Sequence, residues 1–271
     1  LKYSFHPTAN LYKIFSNVLS PKVNSAYVLH YTIPTAKFAI QISARKGFQH
    51  MQTLLLNDLF AWLGLTGSLV LLLSVSLPMF FYRGKHGQRY DLRNHFISEL
   101  GEVGVSRLAF VFNTGLILGG LLLLPFCIGL GRSLPGTWGT LAGIAGALAS
   151  LAAVLVGVFP MNNMAAHIPA ATWFFRLGLV TIALFTLAIA NQPSDAVLVP
   201  RLVNFVGVPA ILVYAAFLYL SPRDPQSNQG ELQPGEHRQR PRFWLVPMLE
   251  WAIFISTLVW FLSSALNILL K

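Results

Sequence analysis

Six apolar runs, at 59–82, 108–130, 138–159, 170–190, 202–220 and 244–269, constrain this chain more than any other feature. About 20 apolar residues are needed to cross a hydrocarbon core as a helix, and each run is of that length. Inside a bilayer every backbone N–H and C=O has to be satisfied within its own segment, so such runs become helices, and no strand-like alternation competes. The expected fold is all-α, a polytopic membrane protein built as a six-transmembrane-helix bundle and placed in the cell membrane as a multi-pass protein. Composition agrees. With 55% hydrophobic and 10% charged residues and a mean hydropathy of +0.60, there is too little polar surface to clothe a water-soluble globule.

Charge bears on the ends and on orientation. Residues 1–50 carry six basic side chains (Lys2, Lys13, Lys22, Lys37, Arg45, Lys46), no acid, and no apolar run long enough to cross a bilayer. Met51 stands just before the first span, so 1–50 reads as a basic N-terminal extension outside the native protein, with 51–271 as the six-helix transmembrane domain. The alternative is a basic arm lying on anionic lipid. Without it the 19 basic and 9 acidic residues become 13 against 9, and the net charge falls from +10 to +4. The remaining basic residues sit mainly in loops, where orientation and lipid headgroups account for them, so membrane lipid is the expected partner and nucleic acid is not. Nine fall on the first, third and fifth loops (Arg83, Lys85, Arg89, Arg93, Arg107, Arg223, Arg238, Arg240, Arg242) and three on the other side (Arg132, Arg201, Lys271). That bias puts both termini outside; adding the six of the arm to the termini side makes a tie. The single cysteine, Cys127, excludes an intrachain disulfide and a thiolate metal site and reads as packing.

Between the spans, 83–107 is charged and partly helical in pattern, and 221–242 (SPRDPQSNQGELQPGEHRQRPR) has the composition of a solvated, mobile loop. Gly139, Gly143, Ala147, Ser150 and Gly157 in the third span, and Gly115 with Gly119 in the second, form small-xxx-small stripes that let helix backbones approach, which predicts that these two helices pack together.

The unusual polar residues converge on one membrane face. His95, Ser98, Glu99 and Glu102 stand at i, i+3, i+4 and i+7, one face of a helix entering the second span. The third span ends in Gly157-Val158-Phe159-Pro160-Met161-Asn162-Asn163, followed by His167. Arg176 lies about two turns into the fourth span and Glu250 about two turns into the sixth. By parity of crossings, the starts of spans two, four and six and the end of span three share one surface. A charge within a spanning helix is costly, roughly 2.5–3.5 kcal/mol at its centre, so Arg176 and Glu250 require partners, expected to be each other or Arg176 with Glu99. The candidate ligand-binding set is His95, Ser98, Glu99, Asn113, Asn162, His167, Arg176 and Glu250. Taken singly, each has a plainer reading: a wetted helix start, a turn cap, or an ion pair that fixes helix register.

HFISELG at 95–101, Phe112-Asn113, and GVFPMNN at 157–163 with His167 four residues on resemble the prokaryotic six-helix membrane family known as domain of unknown function family 998, over about 51 to the C-terminus. More distantly, the Ile-Ser-acid-x-Gly element is similar to the opening motif of DRAM and Frag-like membrane proteins. The resemblance implies a multi-pass membrane protein without an assigned activity, with family motif positions at Ser98, Glu99, Gly101, Pro160 and His167. It also implies an acid near Asn162 or Asn163, where this chain has amides, which weakens a metal or proton-relay role. Residues 1–50 have no counterpart in it.

Three functions fit these residues. One is a polar cluster that holds a lipid headgroup or small ligand, with Arg176 and His167 suited to phosphate and Ser98 and the asparagines to hydrogen bonding. A second is an intramembrane lipid hydrolase, either metal-dependent through His95, His167 and a carboxylate or using His167 as base for Ser98, although HxxxH and HExxH spacings are missing. A third is a small proton-coupled transporter using Glu250 and Arg176. No soluble cofactor is expected, because the glycines stand at packing spacing and not in a phosphate loop.

Overall fold

The computed structural model describes residues 55–85, 87–195, 197–224 and 240–271. The expectation for residues 1–50 lies outside the described residues, and Leu55–Lys271 forms a compact unit. Within it six helices are long and apolar enough to cross a membrane: α1 (Leu55–Phe81), α2 (Ala109–Ser133), α3 (Gly136–Val158), α4 (Met164–Ala190), α5 (Asn204–Leu220) and α6 (Leu245–Leu269). There is no strand among the described residues. The apolar side chains left on the outside, among them Leu69, Leu151, Val180, Leu212 and Ile255, are those that meet lipid.

Close backbone approach joins the helices, but not wholly as the small-residue stripes predict. Gly157 and Gly131 do hold α3 against α2. A Cβ on Gly157 would stand 2.6 Å from the carbonyl oxygen of Asn113, and one on Gly131 would stand 2.6 Å from the Cα of Gly143. Gly115 and Gly119, in contrast, face α1, where Cβ atoms would collide with Ser74 and Leu71. The second helix therefore uses one small-residue face for each neighbour, a distinction that spacing alone does not make. Pro125 lies within α2 without ending it.

One large apolar core, including Phe126, Phe185, Ile189 and Trp260, runs through the bundle. A smaller cluster of Val75, Tyr82, Ile97, Leu100, Phe112 and Trp251 lies under the α1–α2 connection and anchors that connection to the bundle.

Candidate functional site

The connection from α1 to α2 is not a continuation of α2. Ile97–Gly101 forms a short 3-10 helix, and His95 precedes it, so the expected single α-helical face from His95 to Glu102 is replaced by a folded loop. Its rings pack edge to face, Tyr82 on Tyr90 at 5.3 Å and Tyr90 on Trp251 at 5.9 Å between centroids. The Tyr90 hydroxyl donates to the Phe96 carbonyl (2.8 Å) and accepts from the Trp251 indole (3.1 Å). Burial, and then the nearby Glu250 and Glu99 carboxylates, push the Tyr90 phenol well above its ordinary range. The N-cap backbone N–H of the 3-10 turn is satisfied from within, since Glu99 Oε1 accepts from Phe96 N at 2.9 Å.

His95 is buried at the base of this loop. Its Nδ1 is 2.8 Å from Asn94 Oδ1, 3.2 Å from the Asp91 carbonyl and 3.3 Å from the Asp91 backbone N–H. Nε2 is buried without a hydrogen-bond partner among the described residues. Burial lowers the imidazole pKa below its ordinary value. At the exposed edge, Asp91 chelates the Arg93 guanidinium at 2.7 and 2.9 Å, and this hydrogen bonding holds its carboxyl at about 2.

The first, third and fifth loops meet at this end of the bundle, as parity predicts. Arg240, from the fifth loop, closes a two-pronged ion pair on Glu99 (Nη1 to Oε1 and Nη2 to Oε2, both 2.8 Å) and donates to the Asn94 carbonyl at 3.0 Å. Trp244 N donates to the Arg93 carbonyl at 2.8 Å, and the Trp244 indole donates to Asp224 at 2.5 Å. The third loop joins through Asn162, which donates to the Val103 carbonyl (2.9 Å) and accepts from its N–H (2.8 Å). Asn163 caps α4 by accepting from Ala166 N at 3.3 Å. Asn113 donates to the Gly101 carbonyl at 3.0 Å, and His167 Nδ1 donates to the Phe159 carbonyl at 2.7 Å.

Neither expected ion pair of Arg176 forms. Glu99 is taken by Arg240, and Glu250, buried in α6, accepts the backbone N–H of Ile97 at 2.8 Å. Arg176 is exposed, stacks over Trp173 at 5.8 Å from the ring centroid, and has no carboxylate partner among the described residues. It also stands deeper along its helix than expected, twelve residues after Met164, because α4 begins at Met164 and not at the start of the apolar run. Arg240 is the member of the site that sequence reasoning missed. It falls in a segment with the composition of a solvated loop, yet both ends of that segment, at Asp224 and Arg240, are tied down. Its partner lies 141 positions away, beyond the reach of local spacing.

Beneath these residues lies a cavity of about 750 Å³. Phe112 and Leu123 of α2, Phe175 and Ile182 of α4, Phe217 of α5 and Phe261 of α6 are among its apolar walls, while Ser98, Glu99, His167, Arg176, Arg240 and Glu250 supply polar lining. Five of the eight candidate residues thus border one space. His95, Asn113 and Asn162 lie outside the lining, and their polar atoms fix the loops around it. Among the described residues no three His, Cys, Asp or Glu side chains gather around a point where a metal ion would bind.

An all-helical bundle with six membrane-length apolar helices and charged loops joined at one end defines a polytopic integral membrane protein. Within that class the chain belongs to the family described as protein of unknown function (DUF998), whose family model matches residues 70–266. No curated protein and no solved structure matches the chain.

Proposed function

We propose that this protein holds an amphiphilic ligand of the cell membrane, with the apolar part in the cavity and an anionic headgroup at Arg176. The observation that carries this reading is the pairing of a large apolar space with a guanidinium that borders it and has no carboxylate partner among the described residues. An arginine within a membrane helix is retained against its insertion cost where it meets a counter-charge or water, and a lipid phosphate is a matching counter-charge. Ser98 and His167 border the same space and offer hydrogen-bonding atoms to that headgroup.

Hydrolysis has less support. Ser98 and His167 share the cavity wall without a hydrogen bond between them, and the described residues hold no three-ligand group for a metal. The test is native mass spectrometry of the protein purified in mild detergent. Wild type is expected to carry bound lipid and Arg176→Ala to lose most of it; equal lipid on both proteins, or none on wild type, would contradict the reading.

A further inference from the structure

The cavity is bordered by a second charge-bearing group whose needs are unmet. Of the three acids that line it, Glu99 gives both carboxylate oxygens to Arg240, and Glu102 pairs with Lys85 at 3.0 Å. Glu250 differs. One of its oxygens accepts the Ile97 N–H, and among the described residues no cation lies within ion-pair distance of the carboxyl. Arg176 is the complementary case on the same cavity, and the two do not satisfy each other. A carboxylate from α6 and a guanidinium from α4 that line one cavity without pairing form a recognition pair for a molecule that carries both an anion and a hydrogen-bonding cation.

Resting on the proposed amphiphile site, we infer that the ligand is a zwitterionic phospholipid with a primary amine, its phosphate at Arg176 and its ammonium at Glu250. A primary ammonium has three N–H donors and suits a carboxylate oxygen in a buried position, whereas a quaternary ammonium has none and a glycerol headgroup brings no charge. The apolar walls assign the remainder of the ligand to acyl chains, since a soluble phosphoamine would leave them unfilled.

The experiment uses the full chain in nanodiscs holding equal amounts of phosphatidylethanolamine, phosphatidylcholine and phosphatidylglycerol, followed by release into detergent and native mass spectrometry. Wild type is expected to retain phosphatidylethanolamine over each of the others by about tenfold, the scale of one charge-assisted hydrogen bond. Glu250→Gln keeps an oxygen for Ile97 N–H and is expected to abolish that preference while retaining lipid through Arg176. Retention of all three lipids equally by wild type would overturn the amine assignment and leave the amphiphile site standing; retention of none would remove the site itself. The headgroup comparison on wild type gives its answer even if the variant fails to fold. Displacement of the bound lipid by soluble glycerophosphoethanolamine at equal concentration would overturn a lipid as the ligand.

Discussion

The two ends of the bundle use polar groups in opposite ways. At the end where α4 runs into α5, Gln192 is buried and donates to the carbonyls of Ile189 and Val199 while accepting from the N–H groups of Leu198 and Val199. Arg201 gives its guanidinium to the carbonyls of Ala190 and Gln192. That end turns Gln192 and Arg201 inward onto its own backbone, which closes a turn, while Thr186 Oγ1, Asn204 Oδ1 and Trp260 Nε1 nearby are buried without a hydrogen-bond partner among the described residues. At the other end, Asn162, Asn113 and the Glu99–Arg240 pair do the same closing work, but Arg176 and Glu250 border open space. The contrast is that at one end the side chains of the turn bond back to the backbone, whereas at the other an arginine and a glutamate also line a large cavity.

The largest effect should come from the closed end. Gln192→Leu strands two backbone N–H groups and two carbonyls, and it is expected to lower stability by about 3 kcal/mol, read from thermal unfolding in detergent, with lipid retention per folded molecule unchanged. Loss of lipid without loss of stability would break the division between the two ends. Next is Glu99→Gln, which leaves Arg240 without its counter-charge. Because the Glu99 side chain is 6% exposed and that of Arg240 30%, the expected cost is smaller, about 2 kcal/mol, and protease cleavage within the fifth loop should rise as its anchor weakens.

A smaller effect concerns His95. Burial lowers its folded-state pKa, so the unfolded chain takes up the proton first as the pH falls. Its contribution to stability is complete above the ordinary histidine value of about 6.5 and is lost as the pH drops from there toward the folded value. His95→Gln should flatten this part of the stability profile between about pH 7 and pH 5, measured by chemical unfolding; an unchanged slope would show that His95 does not carry it.

How much of this was legible in the sequence differs between fold and site. The spans were readable because length and apolarity are nearly sufficient in a bilayer, and family membership followed from short strings such as HFISELG and GVFPMNN. Parity of crossings brought the right loops to one end. Two readings failed because they relied on regular helix spacing where the backbone is not α-helical or begins elsewhere: His95 to Glu102 lies on a folded loop, and Arg176 is set deeper by an α4 that starts at Met164. The partner of Glu250 was out of reach for another reason, since it is a backbone N–H, at Ile97, and carries no mark in residue type.

An amphiphile seated beneath the charged end would place its acyl chains among the inward-facing apolar residues of the cavity. Photocrosslinking with a phospholipid that carries a diazirine near the end of its acyl chain, followed by peptide mapping, tests that placement directly. Adducts are expected on inward residues such as Leu123, Ile182 and Phe261, diminished in Arg176→Ala. Adducts confined to the outer surface, at residues such as Leu69, Leu151 and Val180, would contradict it.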